Sequence, residues 1–186
     1  MRRRGKTDGT GNNLMRDMTD FHELPDAVHI CASELAFWGP RFAMVAANEK
    51  LAEMGLTRSH FRVMYFVRFR GGIRTNELQE LLMINAASLN RVMKELVRDG
   101  MIEQVTDNED RRFRHHYVTD KAIKVLDIAF AEQKATLDKA FAEVGETAIR
   151  HFLEVLYHLV PPERRAYLTI QPQDIPSGAF ANPTER

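Results

Sequence analysis

Between Asn85 and Val118 the chain concentrates side chains suited to reading an anionic polymer. Ser88, Asn90, Arg91 and Lys94 stand close together, and Asp110, Arg111, Arg112 and Arg114 follow in a second short stretch ahead of His115 and His116. Arginine can fork onto guanine and asparagine onto adenine in the major groove of DNA, so these types at helical spacing can discriminate base pairs. Lysine and serine suit phosphate oxygens. An aspartate ahead of two arginines can hold one guanidinium by a forked pair while the other reaches into a narrow, electronegative minor groove.

Such side chains act together only if the chain turns them outward together. Leu89, Val92, Met93 and Leu96, spaced 3, 1 and 3 apart, form the apolar stripe of an amphipathic helix. Burying that stripe sends Ser88, Asn90, Arg91 and Lys94 to the opposite side, where Ala87 leaves room for close backbone approach and no carboxylate precedes Glu95. Asn85 is the expected N-cap, and Gly100 the left-handed residue that ends the helix. Taken alone, the same face also fits an ordinary solvated helix, and the charged run after it an ordinary solvated turn.

The surrounding sequence supplies the positioning elements. Residues 1–20 are polar and aperiodic, which predicts a flexible arm. Pro25 opens a helix over Asp26 to Trp38 that Gly39-Pro40 is expected to break, and a second helix is expected from Pro40 to Met54-Gly55. Thr57 caps a segment with Phe61, Val63, Met64, Phe66 and Val67, apolar enough for a central buried helix. Thr75 is read as the cap of a short helix holding Leu78, Leu81 and Leu82, and Met83-Ile84 as the turn before Asn85. The period then changes from 3.6 to 2. Met101 to Val105 and Phe113 to Val118 predict a β-hairpin around a polar turn from Thr106 to Asp110. Thr119 caps a long helix, and a further helix is expected from Ala148 to Val160, ended by Pro161-Pro162. Residues 171–186 predict a flexible tail.

Two helices joined by a tight turn and followed at once by a hairpin with a charged tip have the order of a winged helix-turn-helix. The expected fold class is mainly α with a small β-hairpin wing (α+β). A DNA-binding domain over 57–119 is flanked by N-terminal helices over 21–56 and C-terminal helices over 120–170. Those flanking helices carry more apolar side chains than so small a domain can cover, which predicts a homodimer. Two-fold symmetry then sets two recognition helices about 34 Å apart, one turn of double-stranded DNA.

Composition is that of an ordinary globular chain: 186 residues, 44% hydrophobic and 28% charged. Net charge is zero, which by itself argues against a polyanionic partner. The distribution differs from the total. Residues 57–118 hold eleven Lys/Arg against eight Asp/Glu, and both flanks are slightly acidic.

At these residues the sequence resembles the MarR (multiple antibiotic resistance regulator) family. The resemblance is carried by Gly55-Leu56-Thr57, Thr75-Asn76-Glu77-Leu78, Leu89-Asn90-Arg91, Leu96-Val97-Arg98-Asp99-Gly100-Met101-Ile102, Asp110-Arg111-Arg112 and Val118-Thr119, in that order. It implies a dimer built by the terminal helices, palindromic operators near regulated genes, and often release by a small ligand or oxidant. Asp120-Lys121-Ala122 departs from the family's glycine-containing helix start, and the Asp26–Trp38 helix and the tail are longer than usual.

Cys31, the single cysteine, cannot form an internal disulfide and agrees with a reducing, cytoplasmic compartment. Two readings of it stand: a redox sensor whose oxidation changes charge and size, and an inert buried thiol near Ile30, Ala32 and Leu35. Trp38, Phe42 and Phe61 are candidates to line a pocket for a small-molecule effector, or simply to pack the core. The seven histidines form no compact ligand spacing, so neither a metal nor another cofactor is expected. No apolar run is long enough for a membrane span, and no phosphate loop, nucleophile elbow or zinc signature suggests an enzyme. A second reading of the same elements is a protein-interaction adaptor that keeps the winged fold without binding DNA.

Overall fold

A computed structural model describes residues 24–107, 110, 113–176 and 179. The expected arm over 1–20, Arg111, Arg112 and most of the tail lie outside the described residues. The chain divides into two units, Met1–Arg41 and Phe42–Arg186.

The first unit holds most of helix α1 (Asp26–Phe42). Gly39-Pro40 does not break this helix as expected. Proline removes the donor to the Ala36 carbonyl, while one residue on the Arg41 guanidinium donates to the Phe37 carbonyl and lies 3.4 Å from the Phe37 ring centroid, giving this turn added side-chain contacts. No residue of α1 is buried.

The second unit runs through α2 (Val45–Glu53), α3 (Arg58–Phe69), β1 (Ile73–Arg74), α4 (Thr75–Leu82), α5 (Ala86–Arg98), β2 (Ile102–Thr106), β3 (Arg114–Val118) and α6 (Asp120–Leu159). Short 3-10 turns follow at Pro162–Tyr167 and Pro172–Asp174. Because α1 retains residues 40–42, α2 starts later than the Gly-Pro signal suggests. Helix α6 joins the two C-terminal helices expected from periodicity, with a kink at Gly145, whose φ of 77° interrupts helical geometry.

One apolar core gathers these elements. Helix α3 lies at its centre, burying Phe61, Val63, Met64 and Val67, with Leu51 of α2, Leu78 and Leu82 of α4, Leu89 and Leu96 of α5, Ile102 of β2 and Leu126 of α6 packed in the same cluster. Each large side chain so buried contributes roughly 1.5–3 kcal/mol. The sheet is antiparallel in the order β1-β3-β2. Ile102 to Thr106 pair with Val118 to Arg114, and Ile73 and Arg74 pair with His116 and His115. A third strand therefore joins the two expected from alternation; β1 has only two residues, too short to carry a period-2 signal.

The turn between α4 and α5 is built on Met83, which sits in the left-handed region (φ 52°, ψ 45°) with its side chain exposed. A Cβ there costs about 1–2 kcal/mol, and little packing offsets it. Met83→Gly is expected to raise stability by about 1 kcal/mol, read as a higher urea midpoint at unchanged m-value.

Candidate nucleic-acid interface

Helix α5 is fixed at both ends. Asn85, in extended backbone geometry, accepts the Ser88 N–H on its Oδ1 at 2.8 Å. At the other end Gly100 takes a φ of 67°, the Met101 N–H reaches back to the Leu96 carbonyl, and the Thr119 hydroxyl donates to the Gly100 carbonyl at 2.8 Å. Leu89 and Leu96 are wholly buried, and Val92 and Met93 nearly so. Ala87, Asn90, Arg91 and Lys94 consequently lie exposed, with Ser88 half-buried beside the cap.

Helix α4 is positioned differently from the expectation that Thr75 caps it. Arg74 holds the N-cap position; its N–H donates to the Glu77 carboxylate at 2.9 Å, and Thr75 is the first helical residue. The Thr75 hydroxyl is engaged by the His116 ring at 2.8 Å. The one acidic group expected on the face of α5 is also diverted. Glu95 Oε2 lies 2.7 Å from His60 Nε2, and His60 Nδ1 accepts the Thr57 N–H at 3.0 Å. With Nδ1 acting as acceptor, Nε2 carries the proton and donates to Glu95. This bridge ties the start of α3 to α5 and turns a carboxylate toward the protein.

In the hairpin, Arg114 is exposed and its guanidinium donates to Gln104 Oε1 at 3.1 Å. The Asp110 N–H donates to Asp107 Oδ1 at 3.2 Å. The forked pair expected between Asp110 and a neighbouring arginine involves Arg111 and Arg112, outside the described residues. His115 and His116, which follow the basic stretch in sequence, face opposite sides of β3, and each is fastened within the protein. His116 is fully buried, with Nε2 on Thr75 and Nδ1 3.5 Å from the Gln104 amide. Burial, and then the nearby charges of His115 and Arg114, push its pKa below the ordinary histidine value. His115 has Nδ1 2.7 Å from the Gly72 carbonyl and Nε2 2.8 Å from Asp107 Oδ2. Asp107, which no sequence motif singled out, could have been found from the hairpin register, since Val105 pairs with His115 two residues away.

Other candidates fall elsewhere. Cys31 is exposed on α1 rather than buried, as expected of a helix with no buried residue. Phe61 is buried and lines a cavity of about 530 Å³ with Tyr65, Phe69, Leu126, Phe130 and Ile170, and an Arg68–Asp127 ion pair of 2.6 Å stands at its wall. Trp38 and Phe42 are exposed. Among the described residues no helix is long and apolar enough to cross a membrane, and no His/Cys/Asp/Glu cluster could hold a metal.

Helices α4 and α5 with their tight turn, followed by the β2–β3 hairpin, constitute a winged helix-turn-helix. The MarR family profile matches residues 54–112, the segment that carries this unit up to the hairpin tip. The HTH-type transcriptional regulator PetP of Rhodobacter capsulatus is 31% identical over 111 residues, 59% of this chain, and the chain covers 66% of that relative's length. Among solved structures, a MarR family transcription regulator superposes with a TM-score of 0.65 at 17% identity, covering 72% of this chain and 89% of its own. A mutant MarR of E. coli complexed with operator DNA gives a TM-score of 0.61 at 17% identity over 75% of this chain and all of that one. Over residues 54–112 the chain is similar to the MarR family, and its fold is that of the solved MarR structures.

The buried state of His116 has a pH consequence. The folded protein holds this ring neutral while the unfolded chain binds a proton more readily, so its contribution is intact above the ordinary histidine range and is lost as pH falls through it. Acidification from about pH 7.5 to about pH 5.5 is expected to lower the urea midpoint less steeply in His116→Asn than in the parent. Parallel curves would exclude His116 as the group responsible.

Proposed function

We propose that this protein is a sequence-specific double-stranded DNA-binding transcription regulator that acts as a homodimer on a pseudo-palindromic operator. The observation that carries the reading is the division of α5: Leu89, Val92, Met93 and Leu96 are buried, Asn90, Arg91 and Lys94 are exposed, and the hairpin follows within a few residues. An α-helix fits the major groove. Arg91 and Asn90 then address base edges, and Ser88 and Lys94 the phosphates, with Ala87 permitting close approach. Arg111, Arg112 and Arg114 supply the wing's contacts to the backbone or minor groove, with Asp110 orienting one of them. Operator DNA in the complex of the E. coli relative supports the same partner.

Exposed apolar side chains support the dimer. Phe152, Val155, Leu156 and Leu159 after the kink of α6, and Ile30, Leu35, Phe37 and Trp38 on α1, are uncovered in the single chain. A second copy would bury them and pair the recognition helices one DNA turn apart. Modulation has two routes: a small molecule in the aromatic-lined cavity beside α3 and α6, or an oxidant at exposed Cys31. Footprinting with and without aromatic acids and peroxide, on the parent and Cys31→Ser, separates them.

Titration against genomic fragments is expected to give binding that weakens steeply with salt and a footprint with two-fold symmetry. Arg91→Ala is expected to lose about 1–3 kcal/mol of discrimination at one base position of each half-site, whereas Arg112→Ala weakens all sequences about equally. Binding without salt dependence or symmetry, or parental behaviour of both variants, would reject the reading in favour of an adaptor. Sedimentation is expected to show a dimer.

A further inference from the structure

We propose that His115 is a positioning residue for the wing: as an imidazolium it fastens the base of the β2–β3 hairpin to the turn before β1, and affinity for DNA falls when the ring gives up its proton. The inference rests on the DNA-binding function proposed above.

The geometry requires both ring nitrogens to donate. Nδ1 lies 2.7 Å from the Gly72 carbonyl oxygen and Nε2 2.8 Å from the Asp107 carboxylate. Neither a carbonyl nor an ionised carboxylate has a proton to offer, and a neutral imidazole carries only one N–H. Both bonds coexist only in the charged ring. The three positions it joins are the ones that set the hairpin's base: Asp107 directly after β2, His115 within β3, and Gly72 directly before β1. The Gly72 carbonyl is held in place by backbone that only glycine accepts readily. Its φ is 81°, and a Cβ there would stand 2.9 Å from the Tyr117 hydroxyl.

Among the described residues, charged groups reach the ring from each neighbouring strand. Asp107 faces it from the hairpin, Arg74 faces it from β1 in strand register and lies 3.7 Å from Asp107, and Arg114 and His116 flank it on β3. Glu77 of α4 is occupied by the Arg74 N–H, and the Arg74 guanidinium lies 4.5 Å from the Phe113 ring centroid. Asp107 dominates. The hydrogen bond to Asp107, then that to Gly72, raise the His115 pKa above the ordinary histidine value, and Arg74 opposes them. A raised histidine holds its tether fully below the ordinary value and loses it as pH rises through the raised one. Deprotonation then sets a nitrogen lone pair against an oxygen lone pair at one end of the clamp. The strand ladders remain, but the wing loses one of the side-chain ties that fix its base.

The test has two arms. In DNA-free protein, the His115 ring is followed by NMR against pH together with amide exchange of residues 102–106 and 114–118. A midpoint above that of an exposed histidine, a lower midpoint in Asp107→Asn, and faster exchange on passing the midpoint beyond general base catalysis are expected. In the second arm, a duplex selected by the parent from a random-sequence library is titrated at about pH 6.5 and about pH 9, on either side of a raised histidine. Parent affinity is expected to fall about fivefold more than that of His115→Gln, which binds more weakly at the lower pH and changes little between the two. If His115→Gln keeps the parental pH response, or the ring titrates at or below the ordinary value, the proposal is overturned. Failure to bind DNA at either pH would remove the regulator function and the affinity claim with it, while the first arm decides separately whether the clamp exists.

Discussion

Burial of four side chains, Leu89, Val92, Met93 and Leu96, governs the orientation of everything that could touch a ligand in the middle of this chain. A helix has one apolar stripe, and once it is committed to the core the rotational freedom of α5 about its own axis is gone. Turning Arg91 inward would exchange roughly 1.5–3 kcal/mol for each leucine exposed, and would add the cost of an unpaired buried guanidinium. The direction of the polar face is thus a consequence of packing. The caps at Asn85 and Gly100 then fix where along its axis that face begins and ends.

The wing has no comparable apolar anchor. Along β2 only Ile102 is buried, and the remaining residues of that strand are exposed. Beyond Ile102, Val118 and the β1–β3 ladder, its side-chain attachment to the rest of the domain is polar, made by two adjacent histidines in opposite states. His116, on the inner face, is neutral and desolvated against Thr75. His115, on the other face, is a cation between a carbonyl and a carboxylate. Strand alternation converts adjacency in sequence into opposite environments, and the environments set opposite proton affinities.

Much of this was legible in the sequence because it rests on local rules. The stripe of α5, its two caps, the change of period at Gly100 and the double proline after α6 are each decided within a few residues. What was not legible depends on partners distant in sequence. The two residues of β1 are a strand only because β3 lies beside them. Thr75 looks like a cap until His116 claims its hydroxyl. In the candidate site, the exposed recognition face followed from periodicity, but the roles of His60, Asp107 and His115 needed the tertiary structure. Each is a fastener whose partner lies on another element or across the hairpin.

The same fasteners resolve an apparent conflict between zero net charge and a polyanionic partner. Long-range attraction depends on where uncompensated charge lies rather than on the total. Around the winged unit five carboxylates are engaged: Glu77 by the Arg74 N–H, Glu80 by Tyr167 and Arg164, Glu95 by His60, Asp99 by Arg98, and Asp107 by His115 and Arg74, while Glu103 is exposed on β2. Surface ion pairs of this kind stabilise the fold by little, about 0–1 kcal/mol each. Their larger effect is on the field. Each pairs an acidic group with a donor belonging to the scaffold, whereas Arg91 and Lys94 stand exposed on the recognition face. A chain neutral overall therefore presents a helix face whose exposed charges, Arg91 and Lys94, are cationic, because the nearest carboxylate, Glu95, is turned toward His60.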